Sequence, residues 1–120
     1  MPHHQRLTEA TESELNRCDN ALILDCHSFP SRPLEFECDQ DPDRPEICLG
    51  TDPFHSPPDL IETARLAIAD EGLTCRINRP FSGTIVPSRY REQDQRVSSI
   101  MVEVNRSLYM DEGTGGKSGQ

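Results

Sequence analysis

Nothing in this sequence approaches the roughly 20 consecutive apolar residues that span a bilayer, which excludes a helical membrane protein. The N-terminus is polar and lacks the apolar core of a secretory leader, which points to a cytoplasmic chain. Positive charge is in short supply: 12 Lys and Arg stand against 21 Asp and Glu, for a formal net charge of −9. A surface of that sign argues against nucleic acid and anionic membranes as partners. Cysteine is present, but Cys18, Cys26, Cys38, Cys48 and Cys75 are odd in number and form no C-x-x-C pair. Without a secretion signal, free thiols are favoured over a disulfide framework. The spacing also gives no support to a Cys/His zinc cluster. Apolar residues are lean at 33%, with a mean hydropathy of −0.67, and ten prolines and seven glycines imply much loop. The apolar segments are nevertheless well separated, so a small core with long loops fits better than a disordered chain. At 120 residues the chain is one domain or part of one.

The most informative stretch is Ala21-Leu22-Ile23-Leu24-Asp25-Cys26-His27-Ser28. A short unbroken apolar run reads as a strand buried on both faces, as in a parallel sheet. Its polar end then lies at the strand's C-terminus, where open α/β sheets place ligand sites. His27 is the residue best suited to chemistry there. The competing reading is a strand that turns polar because it reaches the surface.

Upstream, residues 3–17 read as a helix with a thin apolar stripe of Leu7, Ala10 and Leu15. Downstream, Ser28 to Pro45 is an irregular, proline-containing loop rich in acids, among them Glu35, Glu37, Asp39, Asp41 and Asp43. Loops of that length are commonly functional or disordered. The acids do not follow the calcium-loop pattern, and solvated carboxylates are the simpler account. Residues 46–50 read as a second strand. Ser56 as cap, Pro57 at the first position and Leu60, Ala64, Ala67 and Ile68 on one face predict a helix over about 57–71. Gly72 suits its left-handed stop. Residues 74–78 form a third strand, which completes a βαβ unit with a parallel pair. Residues 84–96 read either as a mobile loop over a cleft or as plain surface. Val97 to Val104 is the last strand. Glu103 there is either on a wet face or a positioned catalytic acid, because an ionised carboxylate among Ile100, Met101, Val102 and Val104 is costly if buried without a partner. Residues 105–110 suit a short helix or turn. The single domain is assigned to 1–112, and the Gly/Ser-rich 113–120 to a disordered tail.

Four ordered stretches resemble one known family. Leu24-Asp25-Cys26-His27-Ser28-Phe29-Pro30-Ser31 is similar to the "DCHS" segment of the N-formylglutamate amidohydrolases, and Ile100 through Glu112 is similar to the segment near their C-terminus. Ile47 through Asp52 and Asn78 through Gly83 fit in the same order. The resemblance implies an α/β fold: a small, largely parallel twisted sheet flanked by helices, like the C-terminal half of a zinc-carboxypeptidase or aspartoacylase-like fold. It implies zinc-assisted hydrolysis of the amide of an N-acylated amino acid such as N-formylglutamate. By the same resemblance His27 is a zinc ligand and Glu103 the general base and proton shuttle. Asp25, Ser28 and Arg32 are then supporting or substrate-binding residues.

The chain departs from that pattern in one respect. The family takes two further metal ligands, a histidine and an acid, from an N-terminal segment, and His3, His4 and Glu9 do not reproduce the spacing. Catalytic zinc normally has three protein ligands, so the others would come from His3, His4, His55 or a second chain. The alternative is a non-catalytic relative that serves as a binding or interaction domain. A cysteine hydrolase built on Cys26 and His27 is disfavoured, because adjacent strand residues point to opposite faces. A sheet of this size also exposes an edge and an apolar face, which predicts self-association.

Overall fold

The structure is a computed structural model and describes residues 3–111 and 116–117. It is an α/β fold in which a four-stranded sheet carries one helix on each face. Helix α1 spans His3–Cys18 and strand β1 spans Ala21–Phe29. Strand β2 is Ile47–Gly50, helix α2 is Pro58–Asp70, strand β3 is Cys75–Ile77 and strand β4 is Val97–Asn105. A 3-10 turn at Arg106–Leu108 follows, and two short strands, β5 (Met110–Asp111) and β6 (Gly116–Lys117), pair with each other. The rest of the segment expected to be a disordered tail lies outside the described residues. None of the described helices is long and apolar enough to cross a membrane.

The order across the sheet is β1-β4-β2-β3. β1 and β4 are parallel, as are β2 and β3, and the two pairs meet antiparallel at β4 and β2. The β2–α2–β3 unit therefore has the parallel form its sequence implies. Alternation along β4 divides the core in two. Ile100, with Val102 and Val104, joins Ile47 and Leu49 under Leu60, Ala64 and Ile68 of α2. On the other face Val97 joins Ala21 and Ile23 under Leu15 of α1, together with Val86 and Tyr90.

Two local expectations are corrected. β1 is not buried on both faces: Ala21 and Ile23 are covered by α1, but Leu22 and Leu24 on the opposite face are 54% and 61% exposed. The unbroken apolar run misled because α2 packs on the strands beyond β1, and β1 lies at the sheet edge. Ser56 does not cap α2, whose N-cap is Pro57. The Ser56 hydroxyl donates instead to the Ser99 carbonyl at 2.6 Å and accepts from the Asp52 N–H at 2.9 Å. At the other end Gly72 adopts φ +76, and the Leu73 N–H reaches back to the Ile68 carbonyl at 3.3 Å, as a left-handed stop requires.

The segment after β3 lies across the α1 face of the sheet as a strap. The Thr84 and Ser99 hydroxyls are 2.7 Å apart, and Ser99 donates to the Ile85 carbonyl at 2.7 Å. A Cβ on Gly50 would overlap the Gly83 carbonyl oxygen, so only glycine lets the strap come this close. The 84–96 segment is thus largely anchored, with Val86 and Tyr90 in the core.

Candidate functional site

The register of β1 on β4 sets His27 opposite Glu103, and the register of β2 on β4 sets Cys48 on the other side of Glu103. Paired residues on neighbouring strands share a face. His27, Glu103 and Cys48 therefore form one row, on the face away from α2. Asp25 precedes His27 by two residues and lies on the same face, with its Oδ1 2.7 Å from His27 Nε2. With Nε2–H donating to that carboxylate, a neutral His27 ring keeps its Nδ1 lone pair for another partner. The ring is accessible, its side chain being 52% exposed.

Glu103 is the opposite case. It is buried, and among the described residues no hydrogen bond reaches its carboxylate. Burial raises its pKa above the usual carboxyl range. His27 and Arg106 pull it back, while the charges of Asp25 and Glu37 push it further up. A partly desolvated carboxylate beside an imidazole is suited to take up and pass on a proton.

The other candidates are more scattered. Ser28 and Cys26 fall on the opposite face from His27 by strand alternation. The Ser28 hydroxyl accepts a long bond from Arg106 Nε at 3.3 Å, and the Cys26 thiol is exposed. Arg32 is exposed on the loop beyond β1. His55 is buried and fully engaged: its Nδ1 is 2.7 Å from the Val97 carbonyl, and its Nε2 accepts the Glu92 N–H at 3.0 Å. It cannot serve as a metal ligand in this fold.

Two neighbours of the row carry no signal in the sequence. The Cys48 thiol is buried, which raises its pKa, and it donates to the Phe81 carbonyl at 3.1 Å. Only the strand register reveals that it adjoins Glu103. Arg44 is buried over the rings of Phe29 and Phe81, at 5.8 and 5.4 Å from their centroids, and it pairs with Glu37. Burial opposes the charge on Glu37, but bonds from Arg44 and the Leu34 N–H outweigh it and hold the carboxyl below its usual range. The acidic loop is thus spent on arginines, with Arg79 on Asp39 at 3.1 Å and Arg76 on Asp43 at 2.9 Å.

For a metal, the fit is partial. His27 offers one nitrogen donor already oriented by a carboxylate, the usual arrangement around a ligating imidazole. Among the described residues, however, no three His, Cys, Asp or Glu side chains gather closely enough to hold an ion.

Comparisons with known proteins bear on the fold and the family. No curated protein matches along the sequence. The solved structure of an N-formylglutamate amidohydrolase from Ralstonia eutropha JMP134 superposes with a TM-score of 0.81 at 28% identity, covering 98% of this chain. The chain spans only 44% of that protein's length. The profile of the N-formylglutamate amidohydrolases matches residues 1–110. With nearly the whole length matched by the profile and the same fold found in a solved member, the chain belongs to the N-formylglutamate amidohydrolase family.

Proposed function

We propose that this chain carries the proton-transfer half of a metal-assisted hydrolase that cleaves the amide of an N-acylated amino acid, with N-formylglutamate as the substrate named by its family. The observation that carries the reading is the placement of His27 and Glu103 as register partners on one face, with Asp25 on the imidazole. Glu103 takes a proton from the attacking water and delivers it to the leaving amine. His27 presents Nδ1 as one donor to zinc, and Asp25 fixes the ring for that purpose. The chemistry a bound zinc ion supplies is a polarised carbonyl and a water of lowered pKa. Arg32, on the loop just beyond β1, is assigned to the substrate side, whereas Ser28 faces away from His27 and takes no part. A reducing, cytoplasmic compartment suits the five free thiols.

Zinc titration followed by the ring resonances of the histidines tests this reading. Zinc should move the His27 signals and leave those of buried His55 in place, and His27→Ala should abolish the effect. Asp25→Asn should weaken zinc about 10- to 100-fold. Formate release from N-formylglutamate, in any assembly that shows it, should be lost in Glu103→Gln. Zinc that leaves the His27 signals unmoved would sink the reading. The incomplete ligand set favours a second one, a non-catalytic relative that binds a partner. In that case Glu103→Gln and His27→Ala change neither metal content nor turnover.

A further inference from the structure

His55 takes no part in the reaction proposed above, yet it pins three segments together. Its N–H donates to Asp52 Oδ1 at 3.0 Å within the connection from β2 to α2, and its carbonyl accepts the Ser99 N–H of β4 at 2.8 Å. The buried ring lies between β4 and the strap, with Nδ1 2.7 Å from the Val97 carbonyl and Nε2 3.0 Å from the Glu92 nitrogen. A carbonyl can only accept and a peptide N–H can only donate. Nδ1 therefore carries the proton, Nε2 holds the lone pair, and the ring in this arrangement is neutral. A proton on Nε2 would set one N–H against another. The strap's side of the bond is strained as well. Glu92 has φ +57, a left-handed backbone that disfavours any residue with a Cβ and persists only where its surroundings enforce it. The charged groups about the ring are few. Asp52 belongs to its own connection and is occupied by the Phe54 and His55 N–H groups. The strap brings Glu92 and Asp94, and Asp94, paired with Arg96, lies within electrostatic reach of the ring. Arg91 is turned to the Val86 carbonyl, and β4 presents only the main chain of Val97 and Ser99.

We propose that His55 is a proton-operated clasp on the strap: its neutral ring holds the turn around Glu92 against the sheet, and a proton taken from solvent onto Nε2 releases it. Protonation breaks one bond, the one from the Glu92 N–H, and leaves the Nδ1–H on the Val97 carbonyl. The root of the strap stays in place, because Thr84 and Ile85 are held separately by the Ser99 hydroxyl. The moving part is the turn itself, in which the Tyr90 carbonyl accepts the Gln93 and Asp94 N–H groups at 3.1 Å. Besides the clasp, that turn is retained by Tyr90, packed in the cluster under α1, and by Arg89 on Glu12 at 3.2 Å, an exposed ion pair that contributes little. Acid therefore opens the α1 side of the core from the strap, while the α2 side has no part in the clasp. The device stands on the fold alone and does not depend on the chemistry assigned to His27 and Glu103.

The test is to follow the His55 ring nitrogens and the amide exchange of the full chain from about pH 8 to about pH 5, the range in which imidazoles change charge. Exchange is read as protection factors, so that the pH dependence of the exchange chemistry itself cancels. At the upper pH the ring should carry its proton on Nδ1. On acidification the Glu92, Gln93 and Asp94 amides should lose at least about tenfold of their protection, with the same midpoint as the His55 ring, while amides at the centre of β4 keep theirs. His55→Gln cannot titrate in this range, and its strap should keep the same protection throughout. Four results would overturn the proposal: a proton on Nε2 at the upper pH, a ring still neutral at about pH 5, a strap indifferent to the titration of the ring, or protection lost from β4 and strap together. An acid-opened strap in His55→Gln would overturn it as well. If that variant does not fold, the match of ring and strap midpoints in the unaltered chain decides.

Discussion

Glu103 is where the fold and the chemistry pull in opposite directions. Its carboxylate is buried and accepts no hydrogen bond from the described residues, and burial raises its pKa. The folded chain therefore binds that proton more tightly than the unfolded chain does. While Glu103 is ionised, the native state carries a desolvation cost that the unfolded state does not. As the pH falls through the raised folded value to the ordinary one, the native state takes up the proton first and the cost disappears. Glu103→Gln should accordingly raise the Tm by a few degrees at pH 7, and the gain should fade below about pH 4. Melting curves at the two pH values check this. A loss of stability at pH 7 would mean that the carboxylate is held by a partner rather than left bare. His55 is the contrasting residue, with both ring nitrogens paired to backbone. His55→Ala leaves the Val97 carbonyl and the Glu92 N–H unpaired and opens a void, at a cost of about 2–5 kcal/mol. Urea unfolding would read that loss, and a loss below about 1 kcal/mol would show that water replaces the ring.

Among the elements, the strap over the sheet is the one most exposed to a single change. A Cβ at Gly50 would meet both the Gly83 carbonyl oxygen and Met101 Cε. Met101 neighbours Glu103 on the same face, so the displaced atoms adjoin the candidate site. Gly50→Ala should cost about 1–3 kcal/mol and shift the resonances of Met101, as urea unfolding and methyl spectra would report. The sequence announced the β2–α2–β3 unit clearly, because Pro57, the apolar positions Leu60, Ala64 and Ile68, and Gly72 each act through local chemistry. It announced His27 and Glu103 only as separate suspects. Their adjacency depends on the parallel register of β1 on β4, a pairing between segments more than 70 residues apart that no local pattern encodes. Cys48 was missed for the same reason. The acidic loop was ambiguous because its carboxylates are neutralised by Arg44, Arg76 and Arg79, and those partners are distant in the chain or carry no pairing signal of their own. Ser56 shows the limit of local rules: its hydroxyl had a choice between capping α2 and bonding β4, and tertiary packing gave it to Ser99.

At the scale of the whole molecule, Leu24 and Ile100 allow a direct comparison. They are register partners on neighbouring strands and share a face, yet Ile100 is 1% exposed and Leu24 is 61% exposed. The difference is that α2 reaches over β4 and stops short of β1. If the chain stands alone in solution, the hydrophobic effect acts on only one of the pair. Ile100→Ala should then cost about 2–5 kcal/mol through lost burial and a cavity. Leu24→Lys should change stability by no more than about 0.5 kcal/mol, as surface substitutions do. Urea midpoints for the two variants, each taken at low and high protein concentration, decide the matter. Should Leu24→Lys prove costly, and more so at high concentration, the leucine face would already be covered in solution by another copy of the chain. Should it prove neutral, the face is free, and its two leucines sit in water on the side of β1 opposite to His27.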